Sequence, residues 1–321
     1  MHSLQQTDLL EKINKYGEKL PLMLALANIS FLTAKEKKLM EDKLDNVAAL
    51  GLMSIDDVCF LIGRVISKAK WLGEEYINYG NRSLALLKAY NINFVKFGEH
   101  DYPALLSEIY EPPYMLFFRG SLDCLTADCV AMVGTRRPTR GGMEAAYCLA
   151  KELAENGKTV ISGMAIGIDT YAHKGALAVS GGKTVAVLAS GLDNLYPSVN
   201  KRLASLIIQN GGALVSEYAP GEVSLPWHFP ARNRIISGLS RGTVVVEAPA
   251  RSGALITAND CIEQNRDLMF HAVAKEFDES ELGKNINAKK TEKKAGWSCS
   301  NYINDGALIV ENAQDVIQYI G

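Results

Sequence analysis

Residues 130–142 read VAMVGTRRPTRGG, and residues 160–173 read VISGMAIGIDTYAH. Each stretch is a short apolar run, then a loop containing glycine, then residues compatible with a helix. Short continuous apolar runs are the pattern of strands buried on both faces, as in parallel sheets. A strand–loop–helix unit also turns backbone N–H groups and a helix N-terminus toward its loop, where an anion is stabilised. Further apolar runs fall at 114–118, 184–189, 213–216, 243–247 and 268–271, most of them separated by helix-compatible segments. This alternation predicts an α/β fold, an extended Rossmann-like parallel sheet over residues 91–321 with both faces covered. Residues 307–310 and 313–320 predict a last strand and helix. Ahead of the sheet, 20–29 and 47–65 carry helix-like apolar spacing, and Ser54 followed by Asp57 marks a helix start. Residues 1–90 therefore read as a small, all-helical, SAM-like domain.

Composition narrows the function classes. The chain has 321 residues, 48% hydrophobic and 22% charged, with a formal net charge of −2. These values fit a globular protein and exclude a generally basic nucleic-acid coat, so any site for DNA must be a local patch. The six cysteines (Cys59, Cys124, Cys129, Cys148, Cys261, Cys299) form no C-x-x-C pair, and they read as free thiols in a reducing compartment. No H-x-x-x-H spacing occurs among the five histidines, so no metal site is expected, nor any cofactor. Residues 21–32 are mostly apolar but short of the about 20 residues that span a bilayer. With no signal-peptide pattern at the N-terminus, the expected location is cytoplasmic. Residues 275–295, rich in Lys and Glu, read as a mobile loop.

Two segments carry local positive charge. Residues 129–143 hold Arg136, Arg137 and Arg140 and no acid; residues 229–241 hold Arg232, Arg234 and Arg241 and no acid. A guanidinium presents a planar fork of donors that matches phosphate oxygens. After Gly134 come Thr135, Arg136 and Arg137, so the dinucleotide fingerprint G-x-G-x-x-G fails. Residues 181–184 (GGKT) precede a strand and lack the P-loop spacing, which excludes a nucleoside-triphosphate cradle there. Trp227, His228 and Phe229 lie just before the second basic segment, where aromatics suit base stacking; Trp227 reads as a loop anchor and Phe229 as a mixed case. Asp169 reads as the cap of the helix from Thr170, and His173 as a structural hydrogen-bonding residue. Glu247, at the end of a strand, reads as orienting Arg232 or Arg234 in a buried pair.

The segments 130–142, 160–173 and 229–240 (FPARNRIISGLS) together resemble the DNA-processing protein A family, also called DprA or Smf. The resemblance continues through 182–200 (GKTVAVLASGLDNLYPSVN), 216–221 (SEYAPG) and 247–258 (EAPARSGALITA), and at lower density through 102–120 and 304–317. It implies a Rossmann-like DNA-binding domain that binds single-stranded DNA, dimerises, and helps load a RecA-type recombinase in natural transformation. The sequence departs from the family in three places. The N-terminal hairpin lacks glycines, Ile166 stands where relatives are often basic, and 270–277 (FHAVAKEF) lacks a Val-Pro-Gly turn. With residue 321 directly after the last predicted helix, the winged-helix domain many relatives carry is not expected.

Two readings follow. In the first, the protein binds DNA without turnover. The site is then Gly134, Thr135, Arg136, Arg137, Ser162, Gly163, Met164, Asn200, Phe229, Arg232, Asn233, Arg234, Ser252 and Gly253, with single-stranded DNA, a RecA-type recombinase and a second copy as partners. In the second, the same sheet edge is the pocket of a nucleotide phosphoribohydrolase-like enzyme with Glu217 or Glu247 as acid–base group. That superfamily resemblance lacks its Pro-Gly-Gly-x-Gly-Thr run here.

Overall fold

A computed structural model describes residues 2–67, 70–125, 128–279 and 297–320. Among these residues nine strands form one sheet: β1 (Asn93–Lys96), β2 (Met115–Gly120), β3 (Cys129–Val133), β4 (Thr159–Ser162), β5 (Thr184–Val187), β6 (Ala213–Ser216), β7 (Gly242–Val245), β8 (Asp267–His271) and β9 (Leu308–Val310). Their order is β1-β2-β6-β5-β4-β3-β7-β8-β9. The seven strands β3 to β9 pair in parallel, while β2 runs antiparallel to both β6 and β1. The predicted α/β sheet is thus present, with an antiparallel edge and a strand, β1, that the apolar pattern did not single out.

Alternation along each strand splits the core into two faces. In β3, Cys129, Ala131 and Val133 face one side, where they pack with Ile235 and Ile236 of the helix His228–Gly238, Leu239 just after it, and Leu255 of Gly253–Glu263. Val130 and Met132 face the other, against Leu149 and Leu153 of the helix Arg140–Glu155 and Ala172 and Ala176 of Ile168–Leu177. Every β3 side chain is buried, which explains why the strand is a continuous hydrophobic run. Each large aliphatic side chain removed from water in this way contributes about 1.5–3 kcal/mol.

The N-terminal region is helical, from His2–Tyr16 to Gly73–Ala89. Ser54 caps the helix Ile55–Ile62 in a reciprocal capping box with Asp57, and Thr33 does the same with Glu36 for Ala34–Lys43. The apolar helix Lys19–Ala27 is surrounded: its Leu20, Leu22, Met23, Leu24, Ala25 and Leu26 are all buried. This layer shares one core with the sheet, through Phe94, Met115, Phe117 and Leu214. It also grips the loop after β6. The Ser83 hydroxyl donates to the Pro220 carbonyl at 2.7 Å, and the Tyr79 hydroxyl to the Glu222 carboxylate at 2.7 Å.

One expectation needs correction. Residues 275–279, read as the start of a loop, belong to the helix Ala272–Glu279; the remainder of that stretch lies outside the described residues. Apolar Val273, Ala274 and Phe277 recur at helical spacing within it, and Ala274 and Phe277 are buried. The charge count alone masked that stripe.

Candidate nucleic-acid interface

The strand order reverses beside β3: the chain leaves β3 toward β4, whereas β7 pairs on its other side. Loops at the carboxyl ends of strands flanking such a point form a crevice, and ligands bind there in open α/β sheets. All fourteen predicted site residues lie on loops, helix starts or, for Ser162, the end of β4 at this edge, or on the helix His228–Gly238, but they divide sharply by exposure.

The loop after β3 is held from the β7 side. Thr135 N–H donates to the Glu247 carbonyl at 2.6 Å, and Thr139 N–H and Oγ1 donate to the two Glu247 carboxylate oxygens at 2.8 and 2.7 Å. Thr139 Oγ1 in turn accepts from Gly142 N–H as the cap of the helix Arg140–Glu155. The Glu247 carboxylate therefore sits at a helix N-terminus, where the helix dipole stabilises it. This corrects the expectation that it orients Arg232 or Arg234. Gly134 is sterically required, since a Cβ there would lie 2.5 Å from Ile168 Cγ1 and 2.9 Å from the Glu247 carbonyl. Pinned at both ends, the loop presents Arg136 and Arg137 outward, and Arg140 opens the helix that follows, all three exposed.

The loop after β4 is turned inward. Ser162 Oγ donates to the Met132 carbonyl at 2.6 Å. Gly163 and Ala165 N–H both donate to Asp169 Oδ2, at 3.1 and 3.2 Å. The predicted anion cradle is thus occupied by a carboxylate of the chain itself, and Asp169 ties the loop rather than capping its helix. Burial raises the pKa of Asp169, opposed by the charge of Arg232 and by these N–H donors. Met164, at φ 61°, is fully buried, and Asn200 Nδ2 donates to its carbonyl at 2.8 Å.

Arg232 lies beneath this loop, 5% exposed. Its Nη1 donates to the Gly163 carbonyl at 2.8 Å and to the Val187 carbonyl, joining the ends of β4 and β5. Burial lowers its pKa to about 10, against the charge of Asp169. Asn233 Oδ1 accepts from Arg232 Nε, and Asn233 Nδ2 donates to the Gly253 carbonyl at 3.0 Å. Arg234 forms a two-pronged pair with Glu217, both contacts at 2.6 Å, and its Nε donates to the Glu111 carbonyl. Although burial acts against it, Glu217 holds the Arg234 pKa above its ordinary value. Each of the two candidate acid–base carboxylates, Glu217 and Glu247, therefore has a partner inside the fold. His173 is buried and bonds Thr184 Oγ1 through Nδ1 at 2.7 Å, as a structural residue would.

Three features face outward. The Arg136 guanidinium carbon stands 5.3 Å from the centre of the Phe229 ring, a cation–π contact across the crevice. Tyr196, 51% exposed, meets Phe229 edge-on at 5.7 Å. Trp227 is 63% exposed, which corrects its reading as a core anchor. At the start of Gly253–Glu263, by contrast, Ser252 Oγ is buried and has no hydrogen-bond partner among the described residues, while exposed Gly253 begins the helix. Tyr196 escaped the sequence reading. Its signal was an aromatic beside a proline in a loop leaving an apolar strand, a position that displays rather than buries a ring. Among the described residues no group of His, Cys, Asp and Glu could hold a metal ion, and no helix is long and apolar enough to cross a membrane.

Comparison with known proteins places the chain in a family. The family model described as DNA recombination-mediator protein A matches residues 93–321. DNA processing protein DprA of Streptococcus pneumoniae is 44% identical over 216 residues, 67% of this chain and 70% of that protein. The Bacillus subtilis protein of the same name is 37% identical over 221 residues, 68% and 73% of the two chains. Among solved structures, that of DNA processing protein A from Streptococcus pneumoniae superposes with a TM-score of 0.69 at 33% identity, covering 93% of this chain and 97% of that one. That of DNA processing protein A from Helicobacter pylori, a study of its single-stranded DNA binding mode, superposes with a TM-score of 0.58 at 27% identity, covering 71% and 94%. With a Rossmann-like sheet, a basic loop at its switch point and relatives matched across most of its length, this chain belongs to the DNA recombination-mediator protein A (DprA/Smf) family.

Proposed function

We propose that this protein binds single-stranded DNA across the carboxyl edge of its sheet, without catalytic turnover, and delivers it to a RecA-type recombinase during recombination, natural transformation included. The observation that carries the reading is Arg136, an exposed guanidinium held against the Phe229 ring beside Arg137 on a loop pinned at both ends. Exposed arginines there would take phosphates, the exposed Gly253 helix start would add N–H donors, and the binding would be tolerant of sequence. Gly134, Thr135, Ser162, Gly163, Met164, Asn200, Arg232, Asn233 and Arg234 would act by shaping and stiffening that surface. The family's recombination-mediator role supports the recombinase as partner. We further propose a homodimer acting in the cytoplasm, with a helical domain before about residue 91 and the sheet domain after it.

Fluorescence-anisotropy titration of oligo-dT tests this reading. Single strands should bind more tightly than blunt duplex of matched length, since Arg136 and Arg137 stand on a loop rather than along a helix suited to a major groove. Arg136→Ala combined with Arg137→Ala should weaken binding to all sequences alike and flatten the log–log salt dependence by about 0.7 for each phosphate no longer neutralised. Equal or tighter duplex binding would overturn the proposal. Free base released from nucleoside monophosphates would replace it with the hydrolase reading.

A further inference from the structure

Two short ladders of rings cross the carboxyl edge, and each ends at an exposed aromatic. In the first, Arg136 lies over Phe229, and Phe229 meets Tyr196 edge-on at 66°. In the second, Tyr218 stacks on His228 at 4.0 Å and 19°, and Trp227 stands edge-on to His228 at 5.9 Å and 88°. The inner members are covered: His228 is buried, and Phe229 and Tyr218 are half-buried. The outer members, Tyr196 and Trp227, are not. They stand on the loops after β5 and β6, which are neighbouring strands; exposed Val223 shares the second loop, and exposed Val199 lies in the short 3-10 helix Ser198–Asn200 that follows the first.

Phe229 is committed to its own neighbours, with a cation near one side and a tyrosine edge against it. Tyr196 and Trp227 keep ring surface in water while being oriented from behind. A ring already fixed in place loses little conformational freedom when a flat partner stacks on it, and every nucleobase offers a π-face. Resting on the single-strand reading above, we propose that Tyr196 and Trp227 are base-stacking positions, and that Phe229 serves chiefly as the platform for Arg136. The strand then lies with its bases toward the loops after β5 and β6 and a phosphate at Arg136. Backbone charge and base surface are read by different residues.

Three titrations separate these roles: oligo-dT, an abasic strand of the same length, and oligo-dT over a range of salt. Tyr196→Ala and Trp227→Ala should each weaken oligo-dT binding about tenfold, leave the abasic affinity unchanged and keep the salt slope. Tyr196→Phe and Trp227→Phe should restore the affinity, because a ring is kept. Trp227 is one of three tryptophans, so wild-type fluorescence should fall when oligo-dT binds, and Trp227→Phe should lose most of that response. Alanine variants that bind oligo-dT like the wild type overturn the inference, as do variants that lose abasic and oligo-dT affinity equally. Failure of the wild type to bind any single strand would instead overturn the DNA reading beneath it.

Discussion

The arginines after β3 and those of the helix His228–Gly238 are the same residue type at the same edge of one sheet, yet they do different work. Arg136 and Arg137 project from a loop whose ends are fastened by Thr135, Thr139 and Glu247. Arg232 and Arg234 are engaged inside, the first by the carbonyls of Gly163 and Val187 and the second by Glu217. The contrast teaches that a basic motif beside a ligand crevice can be the scaffold of the site rather than its surface. Buried guanidinium groups fix the loops because five donors in one plane satisfy several strand-end carbonyls at once.

The contrast breaks most directly at Arg232. Arg232→Ala leaves two strand-end carbonyls without their donor and removes the positive charge opposite the buried Asp169 carboxylate, and it should destabilise the fold by about 3–5 kcal/mol in chemical denaturation. A variant that keeps wild-type stability but loses DNA affinity would move Arg232 from scaffold to surface.

His173 tests the same buried layer through pH. Burial lowers its pKa to about 3, from an ordinary 6.5. The unfolded chain therefore binds a proton between these values that the folded chain refuses. Stability from this group is complete above about pH 6.5 and is lost as pH falls, by about 2 kcal/mol between pH 7 and pH 5. His173→Asn, which keeps a donor for Thr184 Oγ1, should flatten the difference between unfolding free energies at pH 7 and pH 5. An unchanged difference would mean other groups set the acid sensitivity.

Glu247 stands between the two regions, at the base of the exposed loop. Glu247→Gln keeps the shape but places an N–H₂ group against donors of Thr139, with an expected cost of about 1–2 kcal/mol. DNA affinity should fall with it, because the loop that presents Arg136 loosens. Reduced stability with affinity intact would show that the loop needs no such fastening.

The smallest effect on stability belongs to Arg136 and Arg137. Arg137→Ala and Arg136→Ala should shift the thermal midpoint by no more than about 1–2 °C while weakening single-strand binding. A large drop in the midpoint would make these residues scaffold as well and remove the distinction between the two regions.

Much of the fold was legible from the chain alone. Continuous apolar runs such as 129–133 and 243–246 declared strands buried on both faces, and the reciprocal cap at Ser54 and Asp57 declared a helix start. These signals are local, so no partner is needed to read them. The site was legible as a place, the loops after β3, β4 and β7, but not as a set of roles. Asp169 reads as a cap until the 163–165 backbone is seen to close over it, and Trp227 reads as an anchor until its ring is seen in solvent.

By itself, then, the sequence determined that there would be a parallel sheet with glycine-containing loops and arginines gathered at one edge, because strand periodicity, turn chemistry and charge are properties of neighbours along the chain. Tertiary structure alone decided which arginines face the solvent, which carboxylate answers which cation, and that Tyr196 and Phe229 touch. Those outcomes depend on segments tens of residues apart meeting at the ends of adjacent strands. There burial and a nearby opposite charge, rather than residue type, decide whether a guanidinium is bound within the protein or left for a ligand.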